Sequence, residues 1–361
     1  MKRIISTLTL CLSIALATAQ QTVPQEVMER IYHEVKTPHK YGLVILPPQA
    51  DSMIDSPTLF RKGGMWYMTY IIFDGRGYET WLASSPNLLE WQTMGRILSY
   101  DESRWDRNQV AGYPALIEPE WGGKYRYPSF DGRRWMSYLG GDTQGYEAGV
   151  LSVGMAYTEQ APWRVHEWQR ADTPVLRTKD RDAGWWENVT IYKSGVIEDK
   201  QRTTGSRFVM YYNAKGDSLP HHPRAERIGI AFSDDMLHWR RYPGNPVLDH
   251  GKGITGDAYL QQMGDVWVMF YFGAFWGDYP GGAFNHFACS YDLVHWTDWT
   301  GAHLIEPSEP YDAKYAHKSC VVKWKGVVYH FYCAVDNEGR RSIAVATSKD
   351  LGRSTLSFEG E

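Results

Sequence analysis

Apolar and polar positions alternate along most of this chain with a period of two. The alternation comes in short runs such as Trp66-Tyr67-Met68-Thr69-Tyr70-Ile71, Phe208-Val209-Met210-Tyr211-Tyr212, Val266-Trp267-Val268-Met269-Phe270-Tyr271 and Val328-Tyr329-His330-Phe331-Tyr332. Such runs are rich in β-branched and aromatic residues and bounded by Gly and Asp turns, so they predict antiparallel strands. Only Gln25 to Val35 reads as a short helix.

A repeat orders these runs. Ser85-Pro86-Asn87-Leu88-Leu89-Glu90-Trp91 is echoed by Ser233-Asp234-Asp235-Met236-Leu237-His238-Trp239 and Ser290-Tyr291-Asp292-Leu293-Val294-His295-Trp296. A truncated copy begins at Ser348 and a degenerate one runs from Tyr157 to Trp168. Each copy falls late in a unit that opens with an apolar inner run, of which Asp55-Ser56-Pro57-Thr58-Leu59-Phe60 and Asn188-Val189-Thr190-Ile191 are examples. Four strands per unit and five units predict an all-β chain folded as a five-bladed β-propeller. Fourth strands are expected at Pro174-Val175-Leu176 and Pro246-Val247-Leu248. The run Leu43 to Leu46 is expected to add an outer strand to the last unit and close the ring.

The first residues change the picture of where the protein works. Lys2 and Arg3 precede an apolar run to Ala17, and Ala17-Thr18-Ala19 is a small-x-small site. Residues 1–19 therefore read as a signal peptide, leaving 20–361 as a single domain that is secreted or periplasmic. The formal charge of −4 shows no basic block, which argues against a nucleic-acid partner. Beyond Cys11 the cysteines are Cys289, Cys320 and Cys333. This odd, scattered set reads as buried thiols rather than a disulfide framework.

With 16 Trp and 24 Tyr, the sequence is aromatic enough to suit sugars, which present C–H faces and hydroxyls. Long charged and aromatic links fall mostly on the face where the inner strands begin. Aligning the units there makes Asp55, Gly112, Glu187, Gly256 and His317 equivalent, with Asp257 one step further in. Charges heading buried strands are costly unless paired or working. Asp55 is the expected base, Glu187 the expected acid beside Trp185 and Trp186, and Asp257 the group that tunes the acid or holds a hydroxyl. Asp55 and Asp257 could instead cap turns or pair with Arg107, Arg227 or Lys318. Trp186, His317, Trp276, Arg107, Tyr113 and His221 are the expected substrate contacts. His317 could equally be structural, and His221 simply solvated. No His, Cys or carboxylate cluster has metal-ligand spacing, so neither metal nor cofactor is expected.

The repeated Ser-x-Asp-Leu-x-x-Trp turn, with a carboxylate heading blades one and three, resembles the five-bladed propeller glycoside hydrolases of family 43 and its relatives, families 32, 62, 117 and 130. That resemblance implies an Asp base in blade one, an Asp modulator in blade two and a Glu acid in blade three. Asp55 and Glu187 match by blade, and Glu187-Asn188-Val189 sits like the family's Glu-Gly-Pro. Blade two has Gly112-Tyr113-Pro114 with no Asp, so Asp106 or Asp257 would have to substitute, and Asp55 is followed by Ser before Pro. The resemblance thus implies a divergent member or sister family. The expected activity is exo-cleavage of a plant or algal polysaccharide fragment, arabinofuranosidase- or xylosidase-like. The alternatives are a non-catalytic sugar-binding propeller, a mannoside phosphorylase or mannosidase, and a structural interaction propeller.

Overall fold

The computed structural model describes residues 22–49, 51–217, 225–279 and 281–358. The expected leader, with its cleavage site, and His221 lie outside the described residues. Among the described residues the fold is almost entirely β, with one α-helix, α1 (Gln25–Val35), at the boundaries the sequence suggests. After it comes β1 (His39–Ile45). Unit one then contains β2 (Met53–Lys62), β3 (Met65–Phe73), β4 (Tyr78–Ser85) and β5 (Gln92–Leu98). Unit two contains β6 (Gln109–Pro114), β7 (Arg134–Gly141), β8 (Ser152–Thr158) and β9 (Gln169–Arg170). Unit three contains β10 (Thr190–Glu198), β11 (Phe208–Lys215), β12 (Glu226–Ser233) and β13 (Arg240–Arg241). Unit four contains β14 (Ile254–Met263), β15 (Val266–Ala274), β16 (Ala283–Ser290) and β17 (Thr297–Asp298). The last unit has β18 (Tyr315–Trp324), β19 (Val327–Val335) and β20 (Arg341–Thr347).

Within each unit consecutive strands pair antiparallel, and β1 pairs antiparallel with β20, His39 opposite Thr347. The expected Pro-Val-Leu fourth strands are displaced. The fourth strands are two-residue pairings at β9 and β13, and Leu176 and Leu248 follow as isolated bridges to Val153 and Ile228. A Pro, lacking an N–H, cannot extend a ladder.

The repeat turn is built by side chains bonding to nearby backbone. Ser85 Oγ accepts from the N–H groups of Asn87 and Leu88, and Asn87 Oδ1 accepts from those of Leu89 and Glu90. Trp91 then donates its indole N–H to the Leu88 carbonyl at 3.0 Å. Ser233, Asp235 and Trp239 repeat the pattern, and Ser290 and Asp292 repeat its backbone part. This is the local competition with ladder bonding at which Ser, Asp and Asn excel.

The apolar faces meet between successive sheets. Phe60, Leu82, Met136 and Tyr138 join units one and two, Met155, Ile191 and Met210 join two and three, and Tyr211, Ile228, Trp267 and Met269 join three and four. Phe270, Val268, Val321 and Val328 join units four and five, where Met28, Ile31 and Val35 of α1 also pack. Met68, Ile72, Cys320 and Phe331 join units five and one. The helix contributes through its 28-31-35 stripe, the spacing of one helical face. Cys289, Cys320 and Cys333 are free and buried. Among the described residues no helix is long and apolar enough to cross a membrane.

One irregularity recurs where function could sit. In β2, β10, β14 and β18 the pairing slips at a two-residue bulge, at Ser56-Pro57, Tyr192-Lys193, Asp257-Ala258 and Lys318-Ser319. Bulges re-aim side chains. Ser56, Asp257 and Lys318 take positive φ values of 50°, 57° and 63°. Ser56, Lys193, Asp257 and Lys318 all reach the same cavity.

Candidate active site

That cavity has a volume of about 220 Å³ and is walled by aromatic rings, among them Tyr78, Tyr113, Tyr146, Tyr192, Phe272 and Tyr315. Its ionisable lining includes Glu147, Lys193, Lys215, Glu226, Asp257, His317, Lys318 and Arg341. Unit one, unit two's β7–β8 link, and the inner and middle strands of units three to five all contribute.

Asp55 lies beneath this lining, fully buried. Its Oδ2 is 2.9 Å from Lys318 Nζ and 2.8 Å from an Arg341 guanidinium nitrogen, and Arg341 also donates to Tyr146 Oη at 2.6 Å. Burial alone would raise the Asp55 carboxyl, but these two cations outweigh it and hold the group well below the usual range. Asp55 is therefore a permanent anion that positions Lys318 and Arg341, the pairing with Lys318 that the sequence leaves open. Asp55→Ala should cost about 3–5 kcal/mol, because two buried cations lose their counter-charge. Chemical denaturation checks this, and a loss below about 1 kcal/mol would refute the keystone role.

Asp257 sits in the cavity as expected. Its Oδ2 accepts from Ser56 Oγ at 3.1 Å and lies 3.5 Å from Lys193 Nζ. Tyr113 also lines the cavity, with the Lys193 ammonium 5.1 Å above its ring. His317 lines it too. Burial pushes this imidazole down to about 3, so it is neutral, and Nδ1 lies 3.2 Å from the Cys333 carbonyl oxygen. Asp55, His317 and Cys333 bring their ligating atoms within 4.8 Å of one another. Asp55 already balances two cations, so the set is poorly suited to a metal ion.

Glu187 departs from the expectation. The bulges make Ile191, not Glu187, the counterpart of Asp55. Trp185–Glu187 forms a single 3₁₀ turn before the strand. The Glu187 carboxylate accepts from Arg241 of the outer strand at 2.9 Å, from Tyr212 Oη of β11 at 3.0 Å and from the Gly184 N–H at 3.0 Å. Burial raises its pKa against the pull of Arg241. It is fully buried and does not line the cavity, so it holds the loop rather than meeting a substrate. Trp186 is likewise core, 5.3 Å from Tyr212 between ring centroids. Trp276 packs on His250 and donates to the Ile254 carbonyl, just behind the cavity wall. Arg107 is half-exposed beside Asp142 and outside the cavity. Asp106 is buried between Arg104, Arg170 and Tyr138, also away from it.

Unit two lacks its inner carboxylate for a steric reason. A Cβ at Gly112 would meet Met136 Sδ at 2.3 Å and Thr80 Oγ1 at 3.0 Å. The unit supplies Glu147 instead, from the β7–β8 link. Tyr78 Oη donates to Glu147 at 3.3 Å, and Lys318 Nζ is 3.9 Å away. Unit three supplies Glu226, the first residue of β12, paired with Lys215 at 2.9 Å and approached by the Asn213 amide at 3.4 Å. Burial pushes Glu226 up to about 7 despite Lys215, and the negative charge of Glu147 adds to the rise. Burial raises Glu147 as well, opposed first by Lys318. Reading the sequence alone misses both glutamates. A signal exists: each is a charge in a link or strand start on the face singled out, in Tyr146-Glu147 and Glu226-Arg227-Ile228.

An all-β scaffold with two glutamates from different units at one aromatic-walled cavity has the parts that carbohydrate cleavage requires. No protein-family model and no curated protein matches the sequence. Among solved structures it is similar to one described as a glycoside hydrolase, at 54% identity and TM-score 0.91, over 93% of this protein and 99% of that one. It is equally similar to BT0996 in an RGII complex, at 54% identity and TM-score 0.92 over the same shares. A thermostable family-43 glycoside hydrolase shares the fold at 15% identity, TM-score 0.60, over 87% of this protein and 98% of that one. The protein belongs to the glycoside hydrolases: it is an enzyme that cleaves O-glycosyl bonds.

Proposed function

We propose that the protein is an exo-acting glycosidase whose working carboxylates are Glu226 and Glu147. The observation that carries this is the pair itself: two carboxyls from different units, both raised by burial, at one small cavity. Glycoside hydrolysis needs one carboxyl that keeps its proton for the leaving oxygen and a second that is ionised. Glu226, pushed up to about 7, is the proton donor. Glu147, hydrogen-bonded by Tyr78 and near Lys318, is the ionised partner that attacks carbon or activates water. Asp257, with Lys193, holds a sugar hydroxyl in the same cavity. The cavity is smaller than the ~300–1,000 Å³ typical of drug-sized ligands, which favours one terminal ring over an extended oligosaccharide.

The scaffold reading goes with it. The five units form the blades of one propeller, with β1 as the outer strand that closes the ring. The β1–β20 pairing and the apolar contacts between units five and one support this. For the substrate we take the arabinofuranosidase- or xylosidase-like expectation together with the RGII with which BT0996 forms its complex. The protein would remove a terminal sugar from an RGII oligosaccharide.

The test is incubation of the purified protein with RGII oligosaccharides and arabinan oligosaccharides, with products and anomers followed by NMR. Release of one terminal monosaccharide is expected, and internal cleavage would refute exo action. The pH profile adds a second check. Glu226 must be protonated to act, so kcat/KM should fall as pH rises through about 7. A profile flat from about pH 6 to 9 would remove Glu226 from the role.

A further inference from the structure

Phe275 stands at the cavity mouth with 60% of its surface exposed. A phenylalanine left in water forgoes the burial that normally makes its ring favourable. Its backbone is unusual too, at φ +56°, where an L-residue crowds its own Cβ.

Three contacts impose that conformation. The Phe275 N–H donates to the Gly282 carbonyl at 3.1 Å. The neighbouring Trp276 is anchored by its 2.9 Å bond to the Ile254 carbonyl, by His250 with ring centroids 4.4 Å apart, and by the Lys252 ammonium 4.6 Å above its ring. Gly253 approaches so closely that a Cβ there would meet the Ala274 carbonyl oxygen at 2.2 Å and the Phe275 carbonyl carbon at 2.8 Å. Backbone strain over-determined by its surroundings clusters at ligand clamps and active sites. Core packing does not account for it here. The ring's aromatic contact is edge-on to Tyr315 at 5.7 Å, and Tyr315 is itself part of the cavity wall.

We infer that Phe275, with Tyr315 at its edge, is the stacking platform for the sugar on the leaving-group side of the scissile bond. This rests on the glycosidase reading of the cavity. The cavity takes the ring to be released, so the rest of the oligosaccharide must leave through the mouth. There the next sugar meets a flat apolar face, which suits the C–H side of a sugar ring. Phe275 is thus a specificity-determining contact for oligosaccharides over simple glycosides.

The test measures binding of the RGII oligosaccharide by calorimetry in a Glu226→Gln background, which blocks turnover. Adding Phe275→Ala should weaken binding about tenfold, and Phe275→Trp should restore it. Phe275→Gly should weaken binding as much while Tm stays level or rises, because glycine adopts this φ without strain. Unchanged affinity in Phe275→Ala, a loss that Trp does not restore, or no oligosaccharide binding by Glu226→Gln itself would each overturn the platform. Turnover of the methyl glycoside of the released sugar by the unmutated protein separates the two readings. Turnover with an unaffected Phe275→Ala affinity removes only the platform. Phe275-dependent binding without turnover of any glycoside removes only the cleavage reading.

Discussion

Glu226→Gln should lower kcat on an unactivated glycoside by about 10²–10⁴-fold, with the fold intact. The amide is isosteric and keeps the Asn213 and Lys215 surroundings, but it has no proton to give. The loss should depend on the leaving group. A methyl or sugar leaving oxygen needs protonation as its bond breaks, whereas a dinitrophenolate leaves unaided. Comparing the two substrates therefore isolates the proton. An equal loss on both would mean that Glu226 binds rather than donates. The same change at Glu187 makes a useful contrast. It should lower stability through the loss of a buried carboxylate for Arg241, and it should leave the leaving-group dependence unaltered.

Glu147→Ala should lose about 10³–10⁴-fold in kcat whatever the leaving group, because the group that attacks or activates water is gone. The substitution also opens space beside Lys318 and Tyr78, both of which remain. Azide fits such a space and carries the missing negative charge. It should restore part of the rate with a dinitrophenyl glycoside. A C–N bond then forms as the C–O bond breaks and the phenolate departs, giving a glycosyl azide of inverted configuration. Product NMR reads this directly. Loss without azide rescue and with ordinary leaving-group dependence would hand the role to another carboxylate, Asp257 being next in line at the cavity.

The near-neutral rise at Glu226 and the depression at Asp55 have one physical basis. Burial disfavours any carboxylate, and what differs is the number of cations in reach. Asp55 has two within 2.9 Å, whereas Glu226 has one and a carboxylate neighbour. That contrast distinguishes Asp55, held as an anion by its two cations, from Glu226, the proposed acid.

What the sequence determined by itself is what short-range physics dictates. Period-two alternation marks strands because side chains of a strand point to opposite faces. The Ser-x-Asp-Leu-x-x-Trp turn is legible because its side chains bond to backbone within a few residues. The Gln25–Val35 helix and the β1 strand follow from the same local signals, and the long links do gather on the face that carries the cavity. Asp257, Tyr113 and His317 reach that cavity because Asp257 lies in one of the recurring bulges, His317 directly before another, and Tyr113 on the inner strand of unit two.

Only the tertiary structure decided which carboxylates face the cavity. By sequence Glu187 is equivalent to Asp55, but the 3₁₀ turn and the bulge at Tyr192-Lys193 assign that place to Ile191 and turn Glu187 toward Arg241. By sequence Asp55 is the expected base, and only the fold brings Lys318 and Arg341 from far along the sequence to pair with it. Glu147 sits in a link with no periodic signal, and Glu226 heads a strand whose alternation does not say where its first residue faces. Their raised carboxyls depend on what distant strands bring around them: Glu226 is buried, and Glu147, partly exposed, stands beside Lys318. Charge chemistry depends on distance and desolvation, both set by long-range packing, whereas strands and turns answer to neighbours along the sequence.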